Sequence, residues 1–247
     1  MQALHGRSIL VTGASSGIGA ATARLLAGAG ARITLLARRP DRLRQVAADC
    51  PDSKVIAADV GDWPAIERAC ADAAYDAVIA NAGLARGVDP LQSGVPAEWS
   101  EVVDTNIKGV LHVIRATLPG MQARGRGDLV LLGSVAGRQV YPGGGVYCAT
   151  KHAVRALYEG LRLDDPGSGV RYATIDPGLV RTEFGLVRFR GDADKAYAPY
   201  KGIQPLEPED VADAILWVLT RPPHVNVGEL VLWSTAQAST TKVHRKS

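Results

Sequence analysis

The stretch Val11-Thr12-Gly13-Ala14-Ser15-Ser16-Gly17-Ile18-Gly19 sets three glycines in a GxxxGxG pattern directly behind the apolar run Ser8-Ile9-Leu10-Val11-Thr12. The run reads as a strand and residues 20–30 as a helix, so the glycines fall on the turn between them. A helix N-terminus offers free N–H groups and the positive end of a dipole, and glycine lets the backbone come close to a pyrophosphate. Alone the pattern is weak. Between a strand and a helix, with further such units behind it, it reads as a dinucleotide-binding turn in which Gly13, Ser15, Ser16, Gly17, Ile18 and Gly19 line the phosphates.

Outward from this turn the same alternation continues. Strands are expected at 32–37, 54–59, 76–81, 128–134, 170–176 and 229–234, and helices at 41–49, 63–73, 99–119, 146–163 and 208–220. The strand runs are continuously apolar, which fits a sheet covered by helices on both faces, and their alternation with helices argues for a doubly wound parallel sheet. No linker, repeat or low-complexity segment divides the chain, so one domain over 1–247 is expected. The piece at 182–208 carries Arg, Lys, Gly and aromatics without strong periodicity, and is expected to be a lid over the site.

Composition narrows the class. At 247 residues, 47% hydrophobic and 21% charged, with a formal charge of +3, the chain reads as a soluble globular protein with no call for nucleic acid or a membrane surface. The basic tail Lys242, His244, Arg245 and Lys246 is expected to be a solvated terminus. Cys50, Cys70 and Cys148 show no CxxC spacing, which fits free thiols in a reducing compartment. The scattered histidines show no metal-ligand spacing, and no metal is expected. Without an apolar leader or spanning run, the expected location is cytoplasmic.

The end of the second strand bears on the cofactor. An acid there would bond a ribose 2′-hydroxyl and favour NAD. The sequence has Ala37-Arg38-Arg39 instead, two guanidiniums able to bind a 2′-phosphate by charge-assisted bonds. NADP(H) is therefore expected, with Arg38 as the principal contact; Asp41 stands near enough to pair with one of the two.

In Val146-Tyr147-Cys148-Ala149-Thr150-Lys151-His152-Ala153-Val154, Tyr147 and Lys151 lie one helical turn apart and emerge on one face. A free phenol has a pKa of about 10 and is a poor base near neutrality. A neighbouring ammonium favours the phenolate, and a donor tuned toward the working pH is the better acid/base catalyst. Cys148 and His152 are expected to point away from this face.

Thr12-Gly13…Gly17-Ile18-Gly19, Asn81-Ala82-Gly83, Asn106, Ser134, Tyr147-xxx-Lys151 and Pro177-Gly178…Thr182 stand in order along the chain. Together they resemble the short-chain dehydrogenase/reductase family over essentially the whole sequence. The resemblance implies a single-domain Rossmann-type sheet of about seven strands and an enzyme that moves a hydride to or from a CH–OH carbon. It implies that Tyr147 handles the proton, that Lys151 holds the nicotinamide ribose and lowers the tyrosine's pKa, and that Ser134 holds the substrate oxygen. Asn106 would anchor a water beside Lys151. Asp59 and Val60 would meet the adenine, Asn81, Ala82 and Gly83 its ribose, and Pro177, Gly178, Val180 and Thr182 the nicotinamide. Relatives are commonly dimers or tetramers built on the two long helices.

Two departures matter. Ser16 stands where many NADP-using relatives carry a basic residue, and Ala80 replaces the first asparagine of a common Asn-Asn-Ala-Gly motif. Longer segments, among them Gly137–Leu157 and Tyr200–Val227, look like the serine 3-dehydrogenase branch, which implies a small 3-hydroxy acid such as serine, allo-threonine or 3-hydroxypropionate. Asp165-Pro166 and Arg181 are unlike that branch. Arg138, Arg181, Arg188 and Arg190 are candidates to pair a substrate carboxylate, and Arg188, set between apolar residues in the lid, is the one chosen. The rival expectations are a reductase of another carbonyl class, such as an acyl-carrier ketone or a xenobiotic, and a non-catalytic NADP(H)-binding sensor or scaffold.

Overall fold

The computed structural model describes residues 4–71 and 73–246; Asp72, inside the helix expected at 63–73, and residues 1–3 and 247 at the ends lie outside them. The chain runs β1 (Ser8–Thr12), α1 (Gly17–Gly28), β2 (Arg32–Ala37), α2 (Pro40–Ala47), β3 (Lys54–Ala57), α3 (Trp63–Cys70) and β4 (Ala77–Ala80). It continues through α4 (Pro96–Val103), α5 (Gly109–Ala123), β5 (Gly127–Leu132), α6 (Gly145–Asp164), β6 (Val170–Pro177), α7 (Phe184–Arg188), α8 (Ala193–Tyr197), α9 (Pro208–Leu219) and β7 (Glu229–Leu232). The strands form one seven-stranded sheet in the order β3-β2-β1-β4-β5-β6-β7. Every pairing is parallel, as expected.

Both faces of the sheet are buried because neighbouring strand residues point to opposite sides. Ile9, Val11, Leu35, Ile79 and Val130 join Leu26 of α1, Leu43 of α2 and Ile215 of α9 in one core layer. Leu10, Leu36, Val78, Leu129 and Leu131 join Ile66 of α3, Met121 of α5 and Tyr158 of α6 in the other. The order reverses between β1 and β4, and a cleft opens there at the carboxyl ends of the strands.

Three expectations are corrected. The helix expected to stop at Pro119 begins at Pro96, passes through a single π turn at Asp104–Lys108 and runs to Ala123. Pro119 is tolerated inside it because Pro119 and Arg115, whose carbonyl loses its partner, are both exposed. The segment expected to be a lid is not irregular: α7, α8 and a 3₁₀ turn at Ala198–Tyr200 are too short to produce a period. The tail is not free either. Arg245 donates to the carbonyls of Pro199 and Lys201, and the Lys246 N–H donates to Gly202 O at 2.7 Å.

No helix among the described residues is long and apolar enough to cross a membrane. The three cysteines are buried and unpaired. No group of three or more His, Cys, Asp or Glu among the described residues could hold a metal.

Candidate active site

A cavity of about 780 Å³ occupies the cleft, and every sequence-predicted site residue lines it except Asn106 and the candidate arginines Arg138 and Arg181. Its floor at one end is the turn from β1 to α1. Gly13 has φ of 64°, and a Cβ there would lie 2.8 Å from Asn81 Nδ2. A Cβ on Gly19 would collide with Gly13 O. Any side chain at either position would force the turn apart, so the backbone is bare where a pyrophosphate would approach. Asn81 spans the switch point: its Nδ2 donates to Thr12 O at 2.8 Å, while its own N–H and that of Ala82 donate to Thr12 Oγ1, each at 3.0 Å. Asn81-Ala82-Gly83 is thereby pinned to the end of β1.

The basic pair after β2 divides. Arg39, not Arg38, lies over the glycine turn, with Nη2 donating to Ser16 Oγ at 2.8 Å and to Ser15 Oγ at 3.1 Å. Arg38 turns toward Asp59 and Glu101, at 3.7 and 3.9 Å. Successive side chains in extended backbone point opposite ways, so only one of the two can lean over the turn. The structure thus sets Arg39, rather than the expected Arg38, over the turn, while both line the cavity. Asp41 takes neither arginine; it pairs with Arg44, one turn along its own helix. Ser16, a departure from the basic residue of many NADP-using relatives, belongs to the same cluster through its hydroxyl. Asp59 accepts from the Gly61 N–H at 2.9 Å, and Val60 is buried beside it.

At the other end of the cavity α6 brings Tyr147 and Lys151 to the turn that follows β5. Ser134 opens that turn, its Oγ accepting from the Ala136 N–H at 3.1 Å. Lys151, only 6% exposed, donates from Nζ to Leu132 O at 2.7 Å and lies 5.9 Å from the centre of the Tyr147 ring. Burial pushes the Lys151 ammonium down to about 8, and the nearby Asp176 carboxylate opposes that shift. Burial raises the Tyr147 phenol above its ordinary value, helped by Tyr141 and opposed by a hydrogen bond from Ser134 and by the Arg188 guanidinium. Here the protein's own opposition to desolvation of Tyr147 comes from Ser134 and Arg188; the expected lowering by Lys151 is not among its causes.

Asn106 sits in the π turn and is 1% exposed. Its side chain does not reach the cavity. Nδ2 donates to Leu84 O at 2.8 Å and Thr150 Oγ1 at 3.1 Å, and Oδ1 accepts from the Leu84 N–H at 2.9 Å. These bonds clamp the loop after β4 to α6 next to Lys151. The Lys151 ammonium and Asn106 Oδ1 both lie against Gly83, 3.7 and 3.3 Å from where its Cβ would be.

The segment 182–208 brings in Phe184 and Tyr200, which the sequence did not signal, beside the expected Arg188. The Phe184 ring stands 5.4 Å from the Tyr147 ring. Tyr200 donates to Val180 O at 2.7 Å, which fixes the strap that also carries Thr182. Arg188 donates to Gly87 O at 2.7 Å and to the Tyr141 hydroxyl at 2.8 Å, and its guanidinium lies 6.0 Å from the centre of the Tyr147 ring. The other candidate arginines are taken by acids: Arg138 by Asp176 and Glu229, Arg181 by Glu207, Arg190 by Glu98. Short-range spacing carries no trace of Tyr141 or Phe184, because they reach the site from separate loops. Cys148 and His152 do not line the cavity. Asp165 at the end of α6 accepts from the Tyr172 hydroxyl.

Two hydroxyls and an ammonium thus converge where a carbonyl or carbinol oxygen can be held and given or relieved of a proton. The glycine turn, the bare backbone at Gly13 and Gly19, and the Arg39–serine cluster fit a phosphorylated dinucleotide in the rest of the cavity.

Comparison with known proteins agrees in kind. Residues 7–190 match the family model described as short chain dehydrogenase. The NADP-dependent 3-hydroxy acid dehydrogenase YdfG of Escherichia coli (strain K12) is 40% identical over 246 residues, covering 96% of this chain and 99% of the relative. An NADP-dependent 3-hydroxy acid dehydrogenase of Schizosaccharomyces pombe is 37% identical over 257 residues, covering 100% of this chain and 99% of its own. Among solved structures, the closed form of a serine dehydrogenase complexed with NADP+ superposes with a TM-score of 0.92 at 38% identity, covering 97% of this chain and 100% of that one.

Proposed function

The chain belongs to the short chain dehydrogenase family, and on that premise we propose that it is an NADP-dependent oxidoreductase of small 3-hydroxy acids. When bound, the nicotinamide gives or accepts the hydride at the hydroxyl-bearing carbon. Everything else falls to this chain's side chains. Tyr147 gives the proton to the substrate oxygen in reduction and takes it in oxidation. Ser134 holds that oxygen by a second hydrogen bond. Lys151, tied to Leu132 O at 2.7 Å, holds the cofactor's ribose and keeps positive charge beside the phenol. Arg39, with Ser15 and Ser16, takes the 2′-phosphate. Asn106 keeps the β4 loop and α6 in register around Lys151.

The observation that carries the substrate class is Arg188. Among the described residues no carboxylate pairs with it, although it sits beside the Tyr147 ring in the lid. A half-buried guanidinium with donors to spare is matched by a carboxylate. A 3-hydroxy acid would set its carboxylate on Arg188 while its hydroxyl meets Tyr147 and Ser134. Assembly into dimers or tetramers and a cytoplasmic location belong to the same proposal. Exposed Leu111 on α5 and Leu163 on α6 support the first, and buried unpaired thiols the second.

The test is a panel of L-serine, L-allo-threonine, 3-hydroxypropionate and uncharged alcohols of equal length, each with NADP+ and NAD+. Reduction of NADP+ by the hydroxy acids, well ahead of the alcohols, is expected. A protein that ignores the free acids and reduces an acyl-carrier ketone or a bulky carbonyl would replace the proposed substrate class. Tight NADP(H) binding with no turnover on the panel or on those carbonyls would leave a binding protein.

A further inference from the structure

The guanidinium assigned to the cofactor's 2′-phosphate already has an anionic partner, and the partner belongs to the lid. Glu183 Oε2 lies 3.1 Å from Arg39 Nη1, and Glu183 Oε1 lies 3.6 Å from Arg42 Nη2. One carboxylate therefore bridges two cations, Arg39 at the N-cap of α2 and Arg42 in its first turn. Arg39 keeps its other donors on Ser15 and Ser16, so the cluster is a ready anion site with a side chain of the same protein standing in it. The residues flanking Glu183 are committed elsewhere in the cavity. Thr182 packs against the glycine turn, 3.2 Å from where a Cβ on Gly17 would lie. Phe184 packs on Tyr147. Glu183 is thus the link between the phosphate end and the catalytic end.

We propose that Glu183 is a counter-ion built into the lid that competes with the 2′-phosphate for Arg39 and Arg42 and sets the charge a cofactor must carry to displace it. The inference rests on the NADP reading. A ribose 2′-hydroxyl is neutral and does not displace a carboxylate from two guanidiniums. A phosphate monoester carries a charge of about −1.5 to −2 near neutrality and three acceptor oxygens, and does. Displacement also frees the N-cap of α7 from α2, so the phosphate end of the cofactor and the lid over Tyr147 respond together. The pair is partly solvent-exposed, with side-chain exposures of 45% for Arg39 and 35% for Glu183, so the effect is modest and screened by salt.

The experiment is calorimetric titration of the wild type and Glu183→Gln with 2′,5′-ADP and 5′-AMP at low ionic strength. Glu183→Gln is expected to bind 2′,5′-ADP roughly 2- to 5-fold more tightly, the range open to an exposed pair, with 5′-AMP unchanged and the gain lost at high salt. Unchanged or weaker binding of 2′,5′-ADP, or equal tightening of both probes, overturns the proposal while leaving the NADP reading intact. A wild type that binds the two probes equally well overturns both. Amide exchange over residues 183–188 of the wild type supplies a second readout. It rises with 2′,5′-ADP and not with 5′-AMP if Glu183 is released; an equal response to the two overturns the release.

Discussion

The glycine turn and the lid meet the same cavity with opposite construction. At the turn the fit is made by backbone and by absence: Gly13 and Gly19 have no room for a side chain, and Asn81 and Ala82 together tie β1 to the end of β4 through three hydrogen bonds. At the lid it is made by long side chains from scattered places. Arg188, Phe184 and Glu183 reach across to Tyr141, Tyr147 and Arg39. A turn of the first kind binds what all dinucleotides share. A lid of the second kind can select, because each contact depends on charge or shape and can be exchanged for a ligand's.

The largest expected effect breaks chemistry away from cofactor binding. Tyr147→Phe removes the hydroxyl proposed to carry the proton and leaves the turn untouched. Turnover should fall by roughly 1,000-fold, within the range of positioned acid–base groups, while fluorescence titration finds NADPH affinity nearly unchanged. Turnover close to wild type would remove Tyr147 from the proton's path.

A smaller effect tests the state of the buried ammonium. The Lys151 pKa falls from 10.5 to about 8 in the folded protein. Between these values the native state has released a proton that the unfolded chain still holds, so stability rises with pH across that window. Lys151→Met has no such group and lacks this rise. Chemical denaturation without cofactor should find the variant gaining on the wild type at pH 7 relative to pH 10, by on the order of 3 kcal/mol. A difference independent of pH would mean that Lys151 keeps its ordinary affinity for protons.

The same contrast explains what could be read beforehand. Spacing along one element is visible in a sequence, so the glycine turn, the Tyr147–Lys151 helical pair and the parallel order of the sheet could be read in advance. Spacing across elements is not. Nothing in Ala37-Arg38-Arg39 says which guanidinium leans over the turn; that follows from the alternation of side chains where β2 ends. The paired helices of the lid escape a periodicity reading because neither completes two turns. The tail's basic residues look like a solvated terminus until the carbonyls of Pro199 and Lys201 are brought beside Arg245. Asn106 was legible as a site residue, but its bonds run to Leu84 and Thr150, so its contact with the site is through the framework.

The central claim is that the lid selects a carboxylate while Tyr147 does the chemistry, and Arg188→Ala tests it most directly. KM should be measured for 3-hydroxypropionate and for 1-propanol with NADP+ saturating, wild type beside variant. Loss of a charge-assisted contact worth about 1.5–3 kcal/mol predicts a rise in KM of about 10- to 100-fold for the acid. The alcohol, which has nothing to offer the guanidinium, should change little. Equal effects on the two substrates would contradict the account and leave Arg188 a packing residue of the lid.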